Sequence, residues 1–446
     1  MRIYGWRIWR LSAGKRRALF HRSLVERSCP SIRRVAGTRA REVQFHRFLR
    51  NPKVNVAEMA VRAGERTGLC AAGRDIAVIQ DTSEIMVGKA KAGRAGFGPI
   101  GKGGATRGVL VHAAIAVDSA GALLGLVDAQ VWTRSGGKRT EDRRRPFAEK
   151  ESYRWLKSCE AAAQRLGRAR VITMVSDAES DIYEVFANRP EGLHFLVRSA
   201  RDRTLESKDL LSDLVEGLAV AGQIERVIPA IPGRKERVAK LELRFSEAAI
   251  KAPDGLPKGI PANLTLSVLD VRETEVQEGI TPVHWLLITS HPIKTVEQAS
   301  AITSLYRSRF LIEQVFRTLK TAGFDIEEAE IENPRAFINF TGLATIAAVS
   351  VMQLVKARDG GSGQIHNDCF EPEDKPLIAA LSRRLEGKTI KQKNPHNPDD
   401  LAFASWVIAR LGGWTGYYGK PGPAVMRYGL DRFYAIKLGA EVAKDV

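Results

Sequence analysis

One stretch, residues 304–330, limits most strongly what this chain can fold into. Read as a single helix with ~3.6 residues per turn, it carries four polar side chains on one face: Tyr306, Arg309, Glu313 and Lys320. A phenol, a guanidinium, a carboxylate and an ammonium form an unusual mixture for a face that a core would bury. The stretch is therefore either a solvated amphipathic helix or one wall of a functional site.

Charge indicates the kind of partner. The chain of 446 residues, long enough for about two or three domains, has a formal net charge of +18. Residues 1–50 hold 14 Arg or Lys against 2 Asp or Glu, so much of the excess lies at the N-terminus. This indicates either a polyanionic partner, nucleic acid or an anionic membrane surface, or simply a basic composition.

The sequence also predicts a compartment. Four cysteines are scattered without metal-ligand or disulfide spacing, which fits a reducing environment. The most apolar stretch, 340–355, is too short for a comfortable membrane span and reads as a core helix. The basic start lacks the apolar segment of a signal peptide. We therefore expect a cytoplasmic protein with no membrane partner.

Two short apolar runs, 76–79 and 171–175, predict buried strands. Asp81 and Asp177 follow them, where side chains meet the edge of a sheet. An Asp in such a place is more often a turn or helix cap, and Asp181 competes with Asp177 for any functional role.

The remaining pattern predicts the organisation. Helices broken at Asn51-Pro52 precede the first strand, and Asn55 is a plausible N-cap for the second of them. An antiparallel strand pair surrounds the turn at 118–121. Residues 205–290 alternate strand-like runs with Pro and Gly turns, and helices follow. The sequence thus predicts an α/β protein.

Three carboxylates, those of Asp81, Asp177 and Glu313, lie on elements that can converge. Carboxylate oxygen is the ligand that Mg²⁺ prefers, and two such ions about 3.5–4 Å apart support phosphoryl transfer. Neighbouring Arg and Lys side chains suit phosphate. In a chain of this charge, the set indicates phosphodiester chemistry on nucleic acid.

The spacing Y-x2-R-x3-E-x6-K, from Tyr306 to Lys320, resembles the signature of DDE transposases of the insertion-sequence-4 family. It is most similar to the cut-and-paste branch that excises through DNA hairpins. "IQDTSE" around Asp81 and "VSDAESDIYEVF" around Asp177 resemble the family's two Asp motifs. "FHRFLRNPKV", "FLVRS", "HWLLITSHP" and "IARLGG" resemble further segments, so the resemblance spans about residues 41–416.

The resemblance implies a ribonuclease-H-like catalytic core, a mixed sheet with flanking helices, interrupted by a β-rich insertion. The regions implied are a basic, mostly helical DNA-binding region at 1–70, the core in two parts at 71–204 and 291–358, the insertion at 205–290, and a helical, dimerising region at 359–446.

The resemblance also implies roles for single residues. Asp81, Asp177 and Glu313 would bind two Mg²⁺ or Mn²⁺ ions and be catalytic. Side chains that would bind DNA or its phosphates are Tyr306, Arg309, Lys320, Arg317, Arg198 and Trp285, the last against a flipped base.

The implied partners are double-stranded DNA, as transposon terminal inverted repeats and as target, and a second copy of the chain in a synaptic complex. The implied place is the nucleoid of a bacterial cytoplasm.

Two departures leave alternatives open. Residues 1–40 are short and atypically rich in Arg and Trp for the family's end-recognition region, and Arg317 stands where the branch can carry a lysine. The chain is then an active transposase, or a defective copy that inhibits by binding DNA or dimerising without cleavage. A ribonuclease-H-type nuclease without strand transfer is a third interpretation.

Overall fold

The computed structural model describes residues 31–36, 38–88, 96–101, 104–134, 145–228, 236–276, 279–321 and 323–442. Its helices are α1 Ile32–Ala36, α2 Arg39–Arg50, α3 Val56–Ala71, α4 Tyr153–Arg165, α5 Tyr183–Asn188, α6 Leu211–Glu216, α7 Val296–Arg307, α8 Phe310–Lys320, α9 Pro334–Ala357, α10 Lys375–Leu385, α11 Leu401–Leu411 and α12 Pro423–Val442. Its strands are β1 Asp75–Met86, β2 Gly98–Ile100, β3 Thr106–Asp118, β4 Leu123–Trp132, β5 Val171–Ser176, β6 Leu193–Arg198, β7 Gly222–Ile228, β8 Arg237–Lys251, β9 Asn263–Thr274 and β10 His284–Thr289.

One mixed sheet contains all ten strands, in the order β2-β3-β1-β5-β6-β10-β9-β8-β7, with β4 also paired to β3. β1, β5 and β6 run parallel, and the other neighbours are antiparallel. The chain is therefore an α/β protein with a large mixed sheet and flanking helices. The predicted strand pair around residues 118–121 is confirmed as β3 and β4.

The sheet separates two hydrophobic cores. Because successive side chains of a strand point to opposite faces, Ala77 and Ile79 of β1 pack in one core, while Ile76 and Val78 pack in the other. The first core contains α8 and α9, and the second contains α4. This alternation decides which face each polar residue of β1 reaches.

β1 is longer than the apolar run at 76–79 predicts. The strand continues to Met86, so Asp81 lies inside it, paired with Ala113 of β3, and the prediction that Asp81 ends the strand is wrong. The polar residues after Ile79 stay in the strand because β3 pairs with β1 along its whole second half.

The strands of residues 205–290 continue the core sheet. β10 pairs with β6, and β9, β8 and β7 follow outward in turn. The segment that the sequence sets apart as an insertion thus shares backbone hydrogen bonds with the core.

Local signals place several helix starts. The Asn55 side chain accepts a hydrogen bond from the Glu58 amide, as predicted, and Thr295 forms a capping box with Gln298. Asn333 caps α9, which has Pro334 in its first turn. Residues 1–30, which include part of the predicted DNA-binding region, lie outside the described residues, and the described part of that region forms α1, α2 and α3.

The single helix predicted over 304–330 is wrong. The structure has α7 and α8, joined through Ser308 and Arg309 by tighter i→i+3 hydrogen bonds, such as that from the Ile312 amide to the Arg309 carbonyl. α8 ends at Lys320, and a short 3-10 helix follows at Ile326–Glu328.

Helix α9 is the one helix of the described residues that is long and apolar enough to cross a membrane by length and composition. In its most apolar window, 89% of the residues are buried inside the protein. This is the burial of a core helix, as the sequence predicts.

Candidate active site

The parallel strands β1 and β5 bring two carboxylates side by side. Ile79 pairs with Val175, and two residues further along each chain stand Asp81 and Asp177. Asp177 comes directly after β5, as predicted, and its Oδ1 also accepts a hydrogen bond from the next amide, that of Ala178. Asp177 therefore serves both as a helix cap and as a member of the site.

Helix α8 supplies the third carboxylate. It packs on β1 on the face that carries Asp81, because its apolar side chains Ile312, Val315 and Leu319 are buried in the same core as Ile79. Glu313 lies in the first turn of α8, and its side chain is 51% exposed.

Arg309 joins the three carboxylates. Its Nη1 is 3.9 Å from Asp81 Oδ2 and 3.6 Å from Asp177 Oδ2, and its Nη2 is 2.9 Å from Glu313 Oε1. The Arg309 side chain is only 9% exposed. The residues that the sequence selects as catalytic thus converge on one buried guanidinium.

Burial dominates the protonation of this cluster. It raises the pKa of Asp81 from 3.8 to about 6, against the lowering effects of the Thr82 amide and of Arg309, and the charge of Asp177 adds to the rise. Burial opposes the charge of Arg309, but the nearby anions, Asp177 foremost, outweigh it and raise the pKa of Arg309. The negative charge of the cluster is therefore poorly solvated by its surroundings.

Tyr306 lies against the cluster but is buried. Its ring meets Trp285 edge-on at 5.3 Å, and Trp285 is half-buried at the start of β10. Burial, with the charge of Asp177, raises the pKa of Tyr306 to about 12, so the phenol keeps its proton. In this conformation Tyr306 supports Arg309 and presents no free surface to a phosphate.

The other predicted phosphate ligands lie around the rim. Arg198, the last residue of β6, forms an ion pair with Asp177, with its Nη2 at 2.9 Å from Asp177 Oδ1. Arg317 and Lys320 lie in the last turn of α8, exposed and half-buried respectively. One predicted cation therefore touches the cluster directly, and two stand one to two turns away along α8.

Asp181, the competing aspartate, has a structural role. It is almost fully buried and forms an ion pair with Arg203, and it accepts a hydrogen bond from the Ala200 amide at 2.8 Å. With its oxygens used in this way, Asp181 is removed from the catalytic candidates.

Sequence reasoning missed Arg154 of α4. On the face of the sheet opposite Asp81, its Nε donates to Thr82 Oγ1 at 2.9 Å and its Nη2 contacts Glu179 Oε2 at 3.2 Å. Thr82 follows Asp81, and Glu179 lies two residues after Asp177. One side chain thus fixes the two segments that carry the aspartates.

Thr82 also belongs to a hydrogen-bond chain through His112. Because Gln80 Oε1 only accepts, His112 Nε2 donates to it at 3.3 Å, and His112 Nδ1 of the neutral ring accepts from the Thr82 hydroxyl at 2.9 Å. His112 is fully buried, which holds its pKa well below 6.5 and keeps the ring neutral. His112 is thus a core residue behind the site.

The three carboxylates are suitable ligands for a hard divalent cation, but in this structure they form an ion-pair cluster with Arg309. Among the described residues, no group of three or more His, Cys, Asp or Glu side chains is arranged to hold a metal ion. Arg309 takes the position between the carboxylates. The oxygens of Asp81, Asp177 and Glu313 nevertheless fit Mg²⁺ in kind and in charge, since three carboxylates share one buried guanidinium.

No model of a known protein family matches the chain.

Proposed function

We propose that this chain is a DNA transposase of the insertion-sequence-4 type, which cuts and joins DNA at transposon ends by metal-dependent phosphoryl transfer through a hairpin intermediate. One observation carries the proposal: three carboxylates that are far apart in sequence meet at one buried arginine, on a surface that also bears Arg198, Arg317 and Lys320. The large mixed sheet with flanking helices is compatible with a ribonuclease-H-like core.

In this proposal, Asp81, Asp177 and Glu313 would hold Mg²⁺ or Mn²⁺ in place of their ion pairs with Arg309. Two such ions would supply activation of the attacking hydroxyl and stabilisation of the leaving oxygen. Arg309, released from the carboxylates, is then placed to bind the phosphate that approaches them.

The neighbouring side chains position the DNA. Arg198 neutralises Asp177 in the free protein and, beside the cluster, is placed to contact an adjacent phosphate. Trp285 is only half-buried and lies next to Tyr306, where an unstacked base can pack. The partners proposed are the element's terminal repeats, target DNA and a second copy of the chain.

The test is cleavage of DNA that carries both flanks of the chain's own coding sequence. With Mg²⁺, the wild-type protein should release the element, with hairpin ends that migrate on a denaturing gel as strands of double length. Asp81→Asn, Asp177→Asn and Glu313→Gln should each abolish this product.

Asp75→Asn is the matched control, because Asp75 lies on the same strand, in an exposed ion pair with Arg170. It should cleave normally. DNA binding without cleavage by the wild type would replace the proposal with the defective, inhibitory copy, and nicking without joined products would replace it with a simple nuclease.

A further inference from the structure

A cleft of about 660 Å³ lies at the edge strand β4, apart from the carboxylate cluster. Its floor is the last four residues of β4, and its walls are the α2–α3 connection and the first turns of α3, α4 and α9. Among the described residues β4 pairs as a strand only with β3.

The lining of the cleft is strongly basic. Its charged lining consists of one carboxylate, that of Glu151, and four cations: Lys150, Arg154, Lys157 and Arg335. Arg154 already donates a hydrogen bond to Thr82 of β1, and Lys150 lies 4.0 Å from Glu184.

Two of these cations are free. Lys157 of α4 and Arg335 of α9 are exposed, and neither has an ion-pair or side-chain hydrogen-bond partner within the part of the chain that the structure describes. They stand on two different walls. The helix N-termini at the cleft add partial positive charge, but the two free side chains carry the argument.

We propose that this cleft binds the phosphate backbone of DNA, as a second contact separate from the carboxylate cluster. The occupant follows from continuity along the chain. Residues 1–50, with 14 Arg or Lys against 2 Asp or Glu, run directly into the α2–α3 connection that forms one wall. Free cations on two walls suit a polyanion that passes through a groove.

The cleft also connects to the catalytic cluster. Arg154 lines the cleft and, through Thr82 and Glu179, fixes the segments that carry both aspartates. DNA held here therefore lies one side chain away from the strands that position the carboxylates. The inference rests on the proposed function for its choice of DNA as the polyanion.

The experiment compares wild-type protein with the double variant Lys157→Ala/Arg335→Ala in DNA binding from 50 to 200 mM salt. Each lost phosphate contact lowers the slope of log K against log[salt] by ~0.9, so the slope should fall by ~1.8. At 0.1 M salt this corresponds to roughly 60-fold weaker binding.

Arg383→Ala/Lys388→Ala is the control of equal charge, since both residues are exposed in the C-terminal region and are absent from the cleft. It should keep the wild-type slope within ~0.3, well below the change expected at the cleft. An equal slope change in both double variants would reduce the effect to general charge and overturn the cleft.

A measurement on the wild type guards against misfolded variants. Bound DNA should protect the Lys157 amine from acylation several-fold more than that of Lys388. Equal modification of the two lysines would overturn the proposal. So would a cleft that binds ATP through Lys157 and Arg335 while the double variant keeps the wild-type salt slope of DNA binding.

The two proposals fail differently. If the double variant shows the expected slope change but the wild-type protein never cuts its flanking DNA, the transposase proposal is rejected and the cleft proposal stands. If excision is normal but the double variant keeps the wild-type slope, the cleft proposal is rejected and the transposase proposal stands.

Discussion

Replacing Asp81 by Asn should make the protein more stable while abolishing the proposed DNA cleavage. Burial of the carboxylate raises the pKa of Asp81 from 3.8 to about 6. At ~1.4 kcal/mol for each pKa unit, the buried charge costs the folded state about 3 kcal/mol above pH 6. An amide of the same shape carries no charge and avoids that cost.

The sign of the pH dependence follows from linkage. Because the folded pKa is raised, the folded state binds more protons than the unfolded state between pH 3.8 and about 6. The Asp81 contribution to stability is therefore full below pH 3.8 and is lost as the pH rises through about 6. The variant lacks this loss, so its advantage should grow from near zero at pH 3.5 to about 3 kcal/mol at pH 7.5.

Thermal unfolding with EDTA at the two pH values measures this difference. With an unfolding entropy of ~2.1 cal/mol/K per residue over 446 residues, 3 kcal/mol raises Tm by about 3 °C at pH 7.5. Under the proposed function, Mg²⁺ should stabilise the wild type and not the variant, because a ligand of the folded carboxylates would shift the unfolding equilibrium.

The control is Asp75→Asn, whose exposed ion pair with Arg170 should change stability by under ~1 kcal/mol at either pH. A variant at Asp81 that is less stable than the wild type at pH 7.5, or that gains equally at both pH values, would refute the reasoning.

Two further substitutions test the supporting structure. Arg154→Met should lower kcat by about 10–100-fold with a smaller change in KM, because it releases the segments that carry the aspartates, and Arg154→Lys should restore part of the rate. Steady-state kinetics on a cleavable duplex measures this, and a pure KM effect would contradict it. Arg203→Met should destabilise the fold by about 3–5 kcal/mol in urea unfolding, because it leaves Asp181 charged, buried and unpaired. Arg201→Met, at an exposed neighbouring site, should cost under ~0.5 kcal/mol, and equal costs for the two arginines would exclude the buried pair as the cause.

Features that depend on neighbouring residues were predictable from the sequence. The Asn55 cap, the β3–β4 pair and the Asp that follows β5 rest on contacts within a few residues of each other. The convergence of Asp81, Asp177 and Glu313 was expected from the resemblance of their three motifs to one family signature, although Asp81 does not end its strand and residues 304–330 do not form one helix.

Features that depend on distant partners were not predictable in this way. Nothing near residue 81 signals that pairing with β3 extends β1 to Met86. The helix break at Arg309 likewise lies beside carboxylates that come from other elements, those of Asp81 and Asp177. Arg154 resembles any cation of an amphipathic helix until Thr82, 72 residues earlier, is placed beside it. Register between strands is a property of the assembled sheet, so β10 could be seen to join β6 only in the structure.

The charges of the cluster are balanced by where its members stand on the chain. Pairing of β5 with β1 sets Asp81 beside Asp177, with Arg198 as the nearby counter-charge. The segment that brings the third anion, Glu313, also brings Arg309 four residues before it. Packing of α8 on β1 therefore adds no net charge from this pair, so this contact is made against little electrostatic repulsion.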